Sequence, residues 1–260
     1  MRAKEIASIV EEYAPLSFQE AWDNSGFCVG DPEQEVTGVL IALDCTPDLV
    51  EEAVQAGLNM IVTHHPLIFG GVKQITPDNS IGKTIIKAIK NDVVLYSAHT
   101  NADKTKDGVS WQVAEKLNLK NTKVLSPDFA LEEGVGLGVV GELPASVDVH
   151  DFIDIVKHRL SLDCIRTSGL VDKAIYRVAI CGGSGKSLIR EAIKSGADVY
   201  ISGDISYHDF FCEKGFMIFD IGHYESEIEI VKKINALIQK KLPNFAVRIT
   251  SRNNNPIQYH

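Results

Sequence analysis

One stretch of this chain occurs twice, and that repetition constrains the fold more than any other feature. Residues 52–63 (EAVQAGLNMIVT) align without gaps on residues 191–202 (EAIKSGADVYIS). Each copy reads as the end of an amphipathic helix, a glycine stop at Gly57 or Gly196, and a short apolar strand. A helix that stops at glycine and runs into a buried strand is part of a βαβ unit. The next strands correspond as well: Val93–Ser97 leads to His99, and Met217–Asp220 leads to His223. Duplication of such a unit predicts two related α/β halves, residues 1–125 and 126–260.

The remaining pattern fits that reading. Strands are expected at Val36–Ala42, Gly134–Glu142, Ala174–Cys181 and Phe245–Thr250. Helices are expected at Ala3–Tyr13, Pro47–Ala56, Ser80–Lys90, Val149–Leu160, Ser187–Lys194 and Ser226–Lys241, with Asp107 able to cap another that runs to about Leu117. At 45% hydrophobic and 23% charged, the composition is that of a water-soluble globular chain. The net charge of −9 disfavours nucleic acid as a partner. Met1–Glu11 lacks the unbroken apolar core of a signal peptide, and no run is long and apolar enough for a membrane span. The five cysteines are widely spaced with no CxxC pair, which argues for buried thiols in a reducing cytoplasm over disulfides or a thiolate zinc site.

The chemistry gathers at strand ends, where α/β folds place functional groups. Met60–Thr63 ends in His64-His65-Pro66. Neighbouring residues of a strand face opposite ways, so two adjacent histidines share a site only where the strand has ended or bent. Pro66 favours such a bend. The other reading leaves one ligand, with the second histidine capping a turn. His99 and Asp103, and again His223 and Glu227, stand four apart, the spacing of one helix face. Glu225 would point away from that face. Asp103 has a turn or cap role as its alternative, and His99 is open between ligand, partner of a ligand and proton donor. Imidazoles with carboxylates suit Zn, Mn, Fe or Ni rather than a calcium cage. The pattern reads as a metal site, with two ions, drawn from the strand ends of both halves and lying between them.

Other clusters are weaker. Asp204 occupies in the second copy the place of His65 in the first. It precedes His208, which reads either as a general acid/base or as a surface histidine on a helix that Asp204 caps. Residues 180–187 (ICGGSGKS) lack the first glycine of a phosphate-binding P-loop, which leaves a plain tight turn or an anion-holding one. Trp22 lies in a polar loop able to wall a pocket. Trp111 reads as core, His150 and His158 as surface, and His260 as tail.

Several of these segments together resemble a known family, the Nif-three-like proteins, also called GTP cyclohydrolase I type 2 homologues. They are Trp22-Asp23-Asn24-Ser25-Gly26, Thr63-His64-His65-Pro66, Ser97 to Asp103, Gly182-Gly183-Ser184-Gly185, Ser202-Gly203-Asp204 with His208, and Gly222 to Glu227. They run in order along nearly the whole chain. The resemblance implies two intertwined α/β halves with mixed sheets, a dinuclear metal site and a hexameric ring. It places the metal ligands on His64, His65, Asp103, His223 and Glu227. It also implies the compact form, because the chain between Val124 and Val178 leaves no room for an inserted domain. The family name implies metal-dependent hydrolysis at the guanine ring of GTP, with His99 or His208 moving protons. Phosphoester hydrolysis and a non-catalytic, partner-binding ring are the alternatives, since a shared fold does not fix a substrate.

Overall fold

The computed structural model describes residues 1–259; His260 lies outside the described residues. In chain order the elements are α1 (Ala3–Tyr13), β1 (Gly26–Val29), β2 (Val39–Ala42), α2 (Pro47–Gln55), β3 (Met60–Thr63), α3 (Ser80–Lys90) and β4 (Val94–Ser97). A short helix, α4 (Thr100–Lys104), follows. Then come α5 (Val109–Lys116), β5 (Lys120–Pro127), β6 (Gly136–Val147), α6 (Val149–Leu160), β7 (Arg166–Thr167) and β8 (Ile175–Ser184). The chain ends with α7 (Ile189–Lys194), β9 (Val199–Gly203), β10 (Met217–Asp220), α8 (His223–Glu227), α9 (Glu229–Lys241) and β11 (Val247–Ile249).

Two compact units result, each built on its own sheet. The first comprises Met1–Ala102 and Ile230–Ile257, and the second Asp103–Glu229 with the last described residues. The first unit is therefore discontinuous in sequence, which is what intertwined halves require. The break expected near residue 125 falls inside β5, an edge strand hydrogen-bonded along β6 within the second unit.

The first sheet has the order β1-β4-β3-β2-β11; its last four strands are parallel and β1 is antiparallel. The second has the order β5-β6-β8-β9-β10-β7, with β8, β9 and β10 parallel and the outer strands antiparallel. Both sheets are mixed, as expected. The repeat becomes visible as three adjacent parallel strands in each, β2-β3-β4 and β8-β9-β10.

Local chemistry explains the repeated piece. Thr46 caps α2 by accepting from Leu49 N at 3.2 Å, and Pro47 opens the helix where no N–H is needed. Gly57 ends it at φ +70°, and Gly196 ends α7 at φ +74°. The parallel strands that follow are buried on both faces. In the first unit Leu40, Ile61 and Leu95 pack on Leu49, Ala53 and Ile85 of the covering helices. In the second, Ile180, Ile201 and Phe219 face Phe152 and Val156, while Ala179, Tyr200 and Ile218 face Leu188 and Ala192. Each large side chain removed from water contributes about 1.5–3 kcal/mol to its unit.

Trp111 is half-buried against the second core, and His150 and His158 are exposed. Asp107 does not cap α5. It takes φ +61°, and Gly108 stands at the cap. The cysteines are free thiols. Among the described residues no helix is long and apolar enough to cross a membrane.

Candidate metal centre

The first unit gathers three imidazoles. β3 ends at Thr63, so both following histidines have left the strand, and their amides bond to Ala42 O and Leu43 O. Their rings lie 5.0 Å apart, and the ring of His99 stands 5.2 Å from His64 and 5.5 Å from His65. One ring nitrogen from each of the three lies within 4.8 Å of the others.

What aims these rings is the bond on the opposite nitrogen. His64 Nδ1 meets Ala98 O at 2.8 Å, His65 Nδ1 meets Asp44 Oδ1 at 2.8 Å, and His99 Nδ1 meets Asp23 Oδ1 at 2.8 Å. A carbonyl or a carboxylate can only accept, so Nδ1 carries the proton in all three. Nε2 is then the nitrogen that holds a lone pair. Fixing the tautomer in this way is how proteins prepare imidazoles as metal ligands.

Asp23 is the most strongly bound of the partners. Its side chain is fully buried. Besides His99 it accepts from Asn24 N, Ser25 Oγ, Thr100 N and Thr100 Oγ1. Burial alone would raise its pKa. The bonds from His99, Thr100 and the Asn24 amide outweigh that and hold it well below the usual carboxylate range. Trp22, 63% exposed, lies edge-on to His99 at 6.1 Å, and Phe69 does the same at 5.4 Å. Trp22 thus stands at the rim of the imidazole cluster, consistent with a wall.

The second unit holds carboxylates beside an imidazole of its own. His223 and Glu227 open and close α8, and His223 Nε2 lies 3.1 Å from Glu227 Oε2. His223 Nδ1 meets Asp204 Oδ2 at 2.7 Å, the arrangement already seen three times. Nε2 therefore either carries a second proton towards Glu227 or presents a lone pair beside the carboxylate, ready for one cation. Glu227 is buried, and one of its oxygens lies within 4.8 Å of an Asp103 oxygen. Both carboxylates act on the nearby Cys181 thiol. Burial first, then the charges of Asp103 and Glu227, push it up to about 12, so this cysteine stays a neutral thiol. Glu225 folds back over Gly222 instead of facing Glu227.

Glycines let α8 sit this close. A Cβ on Gly183, at φ +64°, would stand 2.2 Å from Glu227 Oε1, and one on Gly203 would stand 2.8 Å from the backbone of His223. The Gly-rich segment itself continues β8. The amides of Gly182, Gly183 and Gly185 donate to Ser110, Ser226 and Ser202 hydroxyls at 3.1, 2.8 and 3.0 Å. These three amides serve the fold.

His208 is exposed on a single helical turn at Tyr207–Phe210, its ring packed on Tyr207 and Phe211. Asp204 does not cap that turn, because its carboxylate is bound to His223. Asp23 and Asp44 as imidazole partners were not legible in the sequence, because the fold brings each to its histidine from a distant segment.

A family model described as Duf34/NIF3 (NGG1p interacting factor 3) matches residues 1–256. This chain belongs to the Duf34/NIF3 family. A relative from Clostridium acetobutylicum named GTP cyclohydrolase 1 type 2 homolog is 35% identical over 265 residues, covering 100% of this chain and 99% of its own. One of the same name from Clostridium perfringens is 37% identical over 97% of each chain. End-to-end alignment at this length leaves no inserted domain, so the chain is the compact form. The fold of a Bacillus cereus protein related to NIF3 superposes at TM-score 0.92, with 27% identity over 100% of this chain and 99% of that one. Within this Duf34/NIF3 member, His64, His65 and His99 form one group of side chains able to hold a metal ion.

Proposed function

We propose that this chain is a metal-dependent hydrolase acting on a nucleotide, with two divalent ions per chain. The observation that supports it is the shared state of the four imidazoles, each with Nδ1 bound to an acceptor. Donor chemistry fits the ion: neutral imidazole nitrogens and buried carboxylates suit Zn, Mn, Fe or Ni. In this reading His64, His65 and His223 are imidazole ligands, and Asp103 and Glu227 are the carboxylate ligands. Divalent ions held so supply Lewis acidity and lower the pKa of water towards neutrality. His99 is the proton-transfer residue: Asp23 holds its Nδ1 proton and leaves Nε2 to accept one. His208, exposed and backed by no carboxylate bond, is the lesser candidate for that work.

The names of the relatives point to GTP as substrate, with attack at the guanine ring. The chain is expected to work as a homo-oligomer, the hexameric ring that the family resemblance implies, in a reducing cytoplasm. The deciding experiment incubates protein reconstituted with Zn, Mn or Fe(II) with GTP, beside a Glu227→Ala variant. The expected outcome is release of guanine C8 as formate by the wild type alone, and metal loss in the variant. Full metal content in Glu227→Ala would overturn the ligand assignment. Stoichiometric metal with no turnover of GTP or of phosphoesters would overturn the hydrolase and leave a metal-binding protein. Light scattering that gives a monomer would remove the ring.

A further inference from the structure

The second unit carries a cavity of about 360 Å³ that none of the residues above accounts for. Its lining includes Arg166, Thr167, Tyr207, Phe210 and Phe211. The volume falls in the range of small-molecule sites. Two observations set its chemistry. First, Tyr207 and Phe211 are each 73% exposed, their rings 5.6 Å apart and nearly perpendicular, beside His208. Exposed aromatic faces at that density are the platform that protein surfaces offer to flat heteroaromatic rings.

Second, a guanidinium is built into the wall. Arg166 is 60% exposed, yet its head is fixed. It donates to Ile205 O at 2.7 Å, pairs with buried Asp220 at 3.3 Å and lies over the Phe210 ring at 5.0 Å. Fixing an arginine before binding lowers the entropy its ligand would otherwise cost, and a planar fork of donors selects phosphate or carboxylate. Asp220 also accepts from Ile205 N at 3.1 Å and from Gly222 N at 3.0 Å. The arginine is therefore braced against the turn that leads into His223.

We propose that this cavity binds a nucleotide, with its ring on Tyr207 and Phe211 and its phosphate on Arg166. The inference deepens the nucleotide-hydrolase reading by naming where the nucleotide is held, and its test is binding, not turnover. Full-length, metal-loaded protein is titrated calorimetrically with GMP, guanosine and inorganic phosphate. Arg166→Gln is expected to weaken GMP by at least about tenfold and leave guanosine unchanged. Phe211→Ala is expected to weaken both GMP and guanosine by about tenfold. Both variants keep wild-type metal content and oligomeric mass, and Arg166→Gln lowers the melting temperature because buried Asp220 loses its guanidinium. In Glu227→Ala the difference made by Arg166 persists, so failure of the hydrolase reading and failure of the pocket are read separately. Absence of GMP binding, equal GMP affinity in wild type and both variants, or a change of oligomeric mass in Phe211→Ala would overturn the proposal. The last result would assign these aromatics to a contact between chains.

Discussion

Replacing Asp23 with Asn tests the imidazole cluster at its most buried support. The carboxylate accepts at both oxygens: Oδ1 from Asn24 N at 2.7 Å and His99 Nδ1 at 2.8 Å, Oδ2 from Ser25 Oγ at 3.0 Å, Thr100 N at 3.0 Å and Thr100 Oγ1. An amide keeps the shape but turns one oxygen into a donor. With the NH2 group in the Oδ2 position, the two hydroxyls can rotate to accept, but the Thr100 N–H cannot. With the NH2 group in the Oδ1 position, the Asn24 N–H is opposed, and His99 keeps a bond only by moving its proton from Nδ1 to Nε2. Either way one backbone donor is orphaned, which costs about 1–3 kcal/mol. The surviving bonds also lose their charge assistance, about 1 kcal/mol more. Urea unfolding at pH 7 should show a loss of about 2–4 kcal/mol with unchanged slope. Imidazole nitrogen NMR should find the wild-type His99 proton on Nδ1 and a shifted tautomer population in Asp23→Asn. A variant within about 0.5 kcal/mol of wild type and with the same tautomer would refute the account.

Two further outcomes follow from the same structure. Gly183→Ala places a Cβ 2.2 Å from Glu227 Oε1 at φ +64°, so it should cost about 1–2 kcal/mol in backbone strain and displace the carboxylate. Competition dialysis should then show metal retention about 10–100-fold weaker, with circular dichroism unchanged; wild-type retention would sink the role given to this glycine. Asp23 and Asp198 both have carboxyls held below their ordinary range. In Asp198 burial pushes up, and Lys173 with the Arg177 and Tyr176 amides outweighs it. A depressed folded-state pKa gives stability that is present above the unfolded value and lost as pH falls, so the urea midpoint should drop below about pH 4. That drop should be smaller in Asp23→Asn, and an equal drop would refute the assignment.

The parallel heart of each sheet was legible because it is locally encoded. Helix periodicity, a glycine that must take positive φ at residues 57 and 196, and four apolar residues after it are all contiguous signals. Three outer strands, β1, β5 and β7, carry no such signal. β5 is an edge strand with half of its residues exposed and only Leu125 buried, so it lacks the apolar run of a buried strand, and its partner β6 defines it. The return of the chain to the first sheet was equally hidden. β11 pairs with β2 through Val247 and Val39, a contact across almost the whole sequence. The long helix expected over Ser226–Lys241 divides at Ile228, where the packing of Glu227 beneath the glycine cradle ends one short helix before the next begins.

The candidate ligands could be read from strand ends and from the His-x-x-x-acid spacing, whereas their partners could not. Asp23 is 76 residues from His99, Asp44 is 21 from His65 and Asp204 is 19 from His223, and none shares a periodic element with its histidine. The repeat gave half of the answer. It put Asp204 where the first copy has His65, at the end of the matching strand. The fold shows what that exchange does. In the first unit the position supplies an imidazole, which then needs Asp44 to hold it. In the second it supplies the carboxylate itself, which holds the imidazole of His223. Duplication preserved the strands and moved one functional group by a single bond in the hydrogen-bond chain. Identical halves would have given two identical histidine clusters. The substitution instead gives one unit with three clustered imidazoles and another with a single imidazole held among carboxylates.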